Sequence, residues 1–161
     1  MINKQTYYLL AVLGVLIVII WRIRKMKTKI KQCKYFTIDE FDSPDIKGSG
    51  KNMKATTLLM LCVARKIANV PFKINSGYRT PKHNKDVGGV TNSAHTRGYA
   101  IDISTPNGKN QELIVKALRK AGFVRFGIYT NFVHADNDPD KTQFAYWGTA
   151  KDRFNPFKLI V

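Results

Sequence analysis

The sequence predicts an α+β domain, built on a mainly antiparallel sheet with helices on one face and preceded by one N-terminal transmembrane helix. Three observations carry this. Residues 5–21 contain no charged side chain. The rest of the chain switches between apolar patterns of helical period and patterns of period two. Their order is helix, strand, long loop, strand, helix and a run of strands, which suits an α+β arrangement.

The first element is "YYLLAVLGVLIVII", apolar on every side, so no face is reserved for water. Seventeen residues at a rise of 1.5 Å span about 26 Å, close to the thickness of a bilayer core. Tyr7, Tyr8 and Trp21 stand at its ends, where aromatic rings favour the membrane interface. A cleaved signal peptide fits less well, because only Lys4 precedes the apolar run and no small-residue cleavage pattern follows it. Residues 1–23 therefore read as a membrane anchor.

Residues 24–50 read as a basic juxtamembrane segment and linker. The chain has 27 Lys and Arg against 11 Asp and Glu, a formal charge of +16, and eight of the cations precede Tyr35 with no acid among them. Arg22, Arg24, Lys25, Lys27, Lys29, Lys31 and Lys34 follow the apolar run directly, a pattern that holds anionic lipid headgroups. With half of the surplus charge at the membrane and no nucleic-acid motif, nucleic acid is not an expected partner. The same run poses a conflict, since positive charge after the span predicts a cytoplasmic C-terminal domain. The following "YFTIDEFDSPDIKGSGKN" reads as a short extended piece and a turn-rich linker with Pro44, Gly48 and Gly50. Neither Cys33 nor Cys62 belongs to a C-x-x-C pair, so a thiolate zinc site is unsupported, and Cys62 falls in an apolar helical pattern as a core residue.

Residues 51–161 then form the domain. Residues 53–68 predict a helix whose apolar face carries Leu58, Leu59, Cys62, Val63 and Ile67, ended by Asn69 and Pro71. Val70, Phe72 and Ile74 alternate as in a strand with one buried face. Residues 77–98 read as a loop of functional length, with four glycines and a proline. "YAIDIS" (99–104) is a second strand. Residues 110–121 form an amphipathic helix with Asn110 as N-cap and Gly122 as its stop. "FVRFGIY" and "NFVHADN" predict two strands joined near Thr130–Asn131, and "TQFAYWG" a last extended piece.

The chemistry lies in "SAHTRGYAID" (93–102). His95 ends the loop and Asp102 lies on the strand after it, with Gly98 turning the chain between them. Ala100 shares the face of Asp102 and leaves room beside it. Zinc takes imidazole nitrogen and carboxylate oxygen, three protein ligands leaving one position open. A third ligand comes from His134 or His83, and His134 is the better placed: Phe132, His134 and Asp136 share one face of "NFVHAD". A His–Asp pair is also the mark of a simple hydrogen-bonded pair, and the residues alone leave both readings open.

The stretch "SGYRTPKHN…GGVTNSAHTRGYAIDI…FVHAD" resembles the M15 peptidases, the zinc D,D-carboxypeptidase and L-alanyl-D-glutamate peptidase group, and most of all its compact branch in phage and bacterial envelopes. The pattern S-x-H-x-x-G-x-A-x-D is met at Ser93, His95, Gly98, Ala100 and Asp102, and the later H-x-D at His134 and Asp136. The resemblance implies a fold shared with hedgehog-type domains, Zn2+ held by His95, Asp102 and His134, and the stem peptides of peptidoglycan as substrate.

It also implies that Arg79 of "SGYR" clamps a substrate carboxylate, the alternative being a surface arginine bridging to Asp86. In several relatives the general base lies three residues before the last histidine ligand. Here Asn131 stands there and cannot take a proton. Asp136 is the substitute candidate, its other role being an acceptor behind the metal ligand or a partner for an arginine. Ser93 and Tyr78 are candidate substrate contacts, Tyr129 and Trp147 candidate groove walls. Lys82, Lys85 and Arg97 add charge suited to a carboxylate-rich wall polymer.

The expected function is thus a membrane-anchored zinc peptidase of peptidoglycan, in a bacterial envelope or a virion membrane, with a phage lysis or entry factor as the fitting setting. The alternative is a zinc-stabilised wall-binding module with little catalysis.

Overall fold

The computed structural model describes residues 4–31 and 33–159. They fall into two units, residues 1–33 and 34–161. The first holds α1 (Lys4–Lys31), whose stretch Lys4–Arg22 is long and apolar enough to cross a bilayer, with a mean hydropathy of 1.7. Its outward-facing leucines, valines and isoleucines are exposed along the whole apolar stretch.

The second unit is α+β. A five-stranded sheet runs in the order β1 (Ile74–Ser76), β2 (Ala100–Ser104), β4 (Phe132–Asp136), β3 (Arg125–Ile128), β5 (Ala145–Trp147). The pairings β1–β2, β2–β4 and β3–β4 are antiparallel, whereas β5 joins β3 in parallel. The sheet is therefore mixed: the loop after β4 carries the chain to the outer side of β3 before it re-enters.

One face of the sheet is apolar. Ile101, Ile103, Phe126, Ile128, Val133 and Ala135 are wholly buried and share a core with Leu61 and Ala64 of α2 (Ala55–Ala68) and Ile114, Val115 and Leu118 of α4 (Gln111–Ala121). Strand alternation sends Ala100, Asp102, His134, Asp136 and Arg125 to the other face.

Several sequence expectations need revision. Residues 35–52 are part of the fold rather than a linker: Phe41 is buried in the core, and Asp42 accepts from the backbone N–H groups of Gly48 and Gly50 at 2.7 and 2.6 Å. The strand expected from Val70 begins only at Ile74. The loop 77–98 contains a short helix, α3 (Pro81–Asp86), started by Pro81 and capped by the Thr80 hydroxyl, which accepts from His83 N–H at 3.0 Å. Asn110 takes the left-handed conformation at φ 58° and makes no side-chain cap. Gly122 does end α4, at φ 111°. Val63 and Ile67 of α2 are exposed, and Cys62 is only half-buried.

Candidate metal centre

Strand register assembles the site. Across the sheet, Asp102 stands opposite His134, His134 opposite Gly127, and Gly127 opposite Trp147. In the next row out, Ala100, Asp136, Arg125 and Ala145 are aligned in the same way. The first row supplies two site residues, and the second supplies the groups behind them. His95 enters from the loop ahead of β2.

Gly127 is needed in that row. A Cβ there would lie 2.9 Å from the Tyr129 ring, 3.0 Å from His134 Cβ and 3.1 Å from Trp147 Nε1, too close on all three sides. Gly98, at φ +76°, turns the chain where a Cβ would meet the Asn52 carbonyl at 2.3 Å.

His95 Nε2, Asp102 Oδ1 and His134 Nδ1 converge. The separations are 3.1 Å between the two nitrogens, 3.2 Å from His95 to Asp102 and 2.9 Å from His134 to Asp102. The outer atoms of both rings have acceptors of their own. His95 Nδ1 lies 2.7 Å from the Gly77 carbonyl, and His134 Nε2 lies 3.0 Å from Asp136 Oδ2. With a proton on each outer nitrogen, both inner nitrogens present lone pairs to each other and to a carboxylate oxygen. Such a group of three repels itself unless a cation stands among the members. Zinc bonded at about 2.0–2.1 Å to each would hold tetrahedral ligands about 3.3 Å apart, so the donor set fits the ion in kind and in spacing. Among the described residues this is the one group of His, Cys, Asp and Glu side chains close enough together to hold a metal.

The electrostatics follow the same layout. Burial pushes His95 below its ordinary value, and the neighbouring Asp102 only partly offsets it. Burial acts on His134 in the same direction, but the carboxylates of Asp102 and Asp136 outweigh it and push the ring up to about 9. Burial works to raise Asp102 and Asp136. The two histidines override it at Asp102, and His134 with Arg125 overrides it at Asp136, so both carboxyls stay below the usual range.

The outer contacts place several of the residues that the sequence singles out. Asp136 is buried, bonded to His134 and clasped by Arg125 Nε at 3.0 and 3.2 Å, and Oδ1 also accepts from Asp138 N–H at 3.1 Å. It sits behind His134, on the ring nitrogen that points away from Asp102. Arg79 bridges to Asp102 instead of Asp86: Nη2 donates to Asp102 Oδ2 at 2.6 Å and Nε to Ser76 Oγ at 2.8 Å. Asn131 lies in the β3–β4 turn, exposed, its side chain accepting from Asn107 N–H at 3.2 Å.

A cavity of about 290 Å³ opens over the three inner atoms. Arg79, Ser93, Tyr129 and Trp147 line it, the Gly88–Val90 loop forms one side, and a stacked Tyr129–Phe132 pair forms part of another. Ser93 Oγ accepts from His95 N–H at 3.3 Å. Tyr78 is placed elsewhere, in a separate polar cleft with Arg97 and Tyr99, and His83 lies on α3 outside the cavity. Of the loop cations, Lys82 is paired with Asp86 at 2.7 Å, and Arg97 with Asp138 and Asp140. Arg125 and Lys141 line the cavity as well, and the sequence reading passed over both. Alternation along "FVRFGIY" places Arg125 on the polar face and was the signal for it. Lys141 lies in a loop, and nothing local marks it.

A comparison with curated proteins finds no match. A family model described as Peptidase M15 matches residues 33–136, which include all three converging side chains. The match covers more than half of the chain, and the chain belongs to the M15 peptidase family.

Proposed function

We propose that this chain is a membrane-anchored zinc peptidase acting on the stem peptides of peptidoglycan. The convergence of His95 Nε2, Asp102 Oδ1 and His134 Nδ1 within 3.2 Å beneath an open cavity carries this reading. A zinc ion held by these three supplies Lewis-acid activation of water and of the scissile carbonyl. The protein's own groups do the rest. Gly77 and Asp136 fix the two ring tautomers, Arg79 fixes the Asp102 carboxylate, and Ser93 holds the loop that carries His95. Among the described residues Arg79 Nη1 has no hydrogen-bond partner and faces a substrate carboxylate in this reading.

The place of work is the outer side of a bacterial membrane or a virion membrane, with phage lysis or entry as the setting. The apolar stretch Lys4–Arg22 and the basic run after it support an anchor on anionic lipid.

One observation favours a second reading, a zinc-stabilised wall-binding module with weak catalysis. Among the described residues the only carboxylates lining the cavity are Asp102 and Asp136, and both are engaged. The full chain in detergent with one equivalent of zinc, incubated with purified sacculi, separates the two. Release of new amino groups, abolished in His95→Ala, supports the peptidase. Zinc-dependent sedimentation with sacculi and no release supports the module.

A further inference from the structure

We propose that Lys141 is a specificity-determining residue, recognising a carboxylate on the ligand that enters the cavity. The substrate class this assigns is an anionic peptide, and the inference rests on the peptidase reading above for the identity of that peptide.

Besides the two histidines, the charged side chains lining the cavity among the described residues are Arg79, Arg125, Lys141, Asp102 and Asp136. Four of these five are committed to one another or to the metal centre. Arg79 is held by Asp102 and Ser76. Arg125 is held by Asp136 and the Thr142 carbonyl, and lies 5.0 Å over the Trp147 ring. The Lys141 ammonium makes no ion pair or hydrogen bond among the described residues. A metal at the centre adds positive charge and cancels none of it. The cavity is therefore left with an unmatched cation at its rim, and the charge that complements it must arrive with the ligand.

The loop around Lys141 is braced in a way that an incidental surface lysine does not require. It connects β4 to β5. At its start Asp138 N–H donates to Asp136 Oδ1 and Asp140 N–H to Asp138 Oδ1, both at 3.1 Å. Arg97 clasps Asp138 and Asp140 from outside. Gln143 Nε2 donates back to the Asp138 and Lys141 carbonyls, and Arg125 to the Thr142 carbonyl. These bonds fix the backbone on both sides of Lys141, and none of them uses its side chain. Arg125 also ties this loop to Asp136 and through it to His134, so the backbone at Lys141 is held in register with the metal centre. Preorganisation of this kind lowers the ordering cost of binding.

The test uses the zinc-loaded full chain in detergent and a stem tetrapeptide in two forms, with its carboxylates free and with one of them amidated in turn. Dissociation constants are measured for wild type, Lys141→Gln, Lys141→Arg and, as a control for net charge, Lys66→Gln. Wild type and Lys66→Gln should prefer the free acid at one position by about tenfold, or 1.4 kcal/mol. Lys141→Gln should lose that preference and Lys141→Arg should keep it. Equal discrimination by Lys141→Gln and wild type overturns the proposal. If wild type binds neither form, the peptidoglycan reading has failed by itself. N-acetylglutamate and N-acetylglutamine, titrated by NMR against the same variants, then judge Lys141 on the same criterion, and absence of any acid preference in wild type overturns it.

Discussion

His134 donates from Nε2 to Asp136 at 3.0 Å, while its Nδ1 stands 2.9 Å from Asp102. One imidazole thus lies between two carboxylates, Asp102 beside its inner nitrogen and Asp136 behind its outer one. The carboxylate behind fixes the tautomer that leaves Nδ1 free to bind a metal.

This arrangement makes Asp136→Asn a metal-affinity variant first. Zinc affinity should fall by about 10–100-fold, as found for second partners of metal-bound histidines. Competition with a chromophoric chelator measures it. Unchanged zinc affinity with a collapsed turnover would return Asp136 to the role of general base.

The metal-stripped protein should be most stable near pH 6.5. His134 is pushed up to about 9 in the folded state, so its contribution is complete below the unfolded value of about 6.5 and is lost as pH rises through 9. The difference corresponds to about 3–4 kcal/mol at most. His95 is pushed down by burial, so it acts in the other window: below about 6.5 the unfolded chain takes a proton that the folded site resists. Melting of chelator-treated protein from pH 5 to 10 should trace a peak. Zinc replaces the proton on His134, so the loaded protein should lose the decline above pH 7. A flat profile without metal contradicts the charge layout.

Arg97→Ala should destabilise the domain by about 3–5 kcal/mol, because it strips the partner from a fully buried carboxylate at Asp138. Arg97 also lies 5.5 Å over the Tyr99 ring, so Arg97→Lys should recover only part of the loss. Denaturant unfolding gives the numbers, and a change below about 0.5 kcal/mol would show that Asp138 finds another partner.

Gly127→Ala places a methyl group against His134, Tyr129 and Trp147 at once. The expected cost is about 1–3 kcal/mol, with weaker zinc binding because His134 must shift. Near-UV circular dichroism should report the displaced Trp147, and an unchanged spectrum with normal zinc affinity would mean that the strand absorbs the methyl group.

The residues brought together at the centre were legible in the sequence for a physical reason. Asp102 and Ala100 alternate on one strand, His134 and Asp136 on another, and period two reports the shared face without any knowledge of the partner strand. The mixed sheet was not legible, because the parallel return of β5 depends on where an irregular loop carries the chain. The same holds for Lys141. Helix α3 had its signal in Thr80–Pro81 but is too short for periodicity to reveal. Residues 35–52 look like a linker by composition, yet Phe41 is buried, and only the tertiary packing decides that.

The alignment of Asp102, His134 and Gly127 across three strands also makes the centre a check on folding itself. A slip of β2 by a single position against β4 would turn Asp102 toward the oily side of the sheet and present Ile101 or Ile103 in its stead. A chain so misthreaded would lack the converging trio, so metal uptake at this centre would count only the molecules whose strands found their proper neighbours.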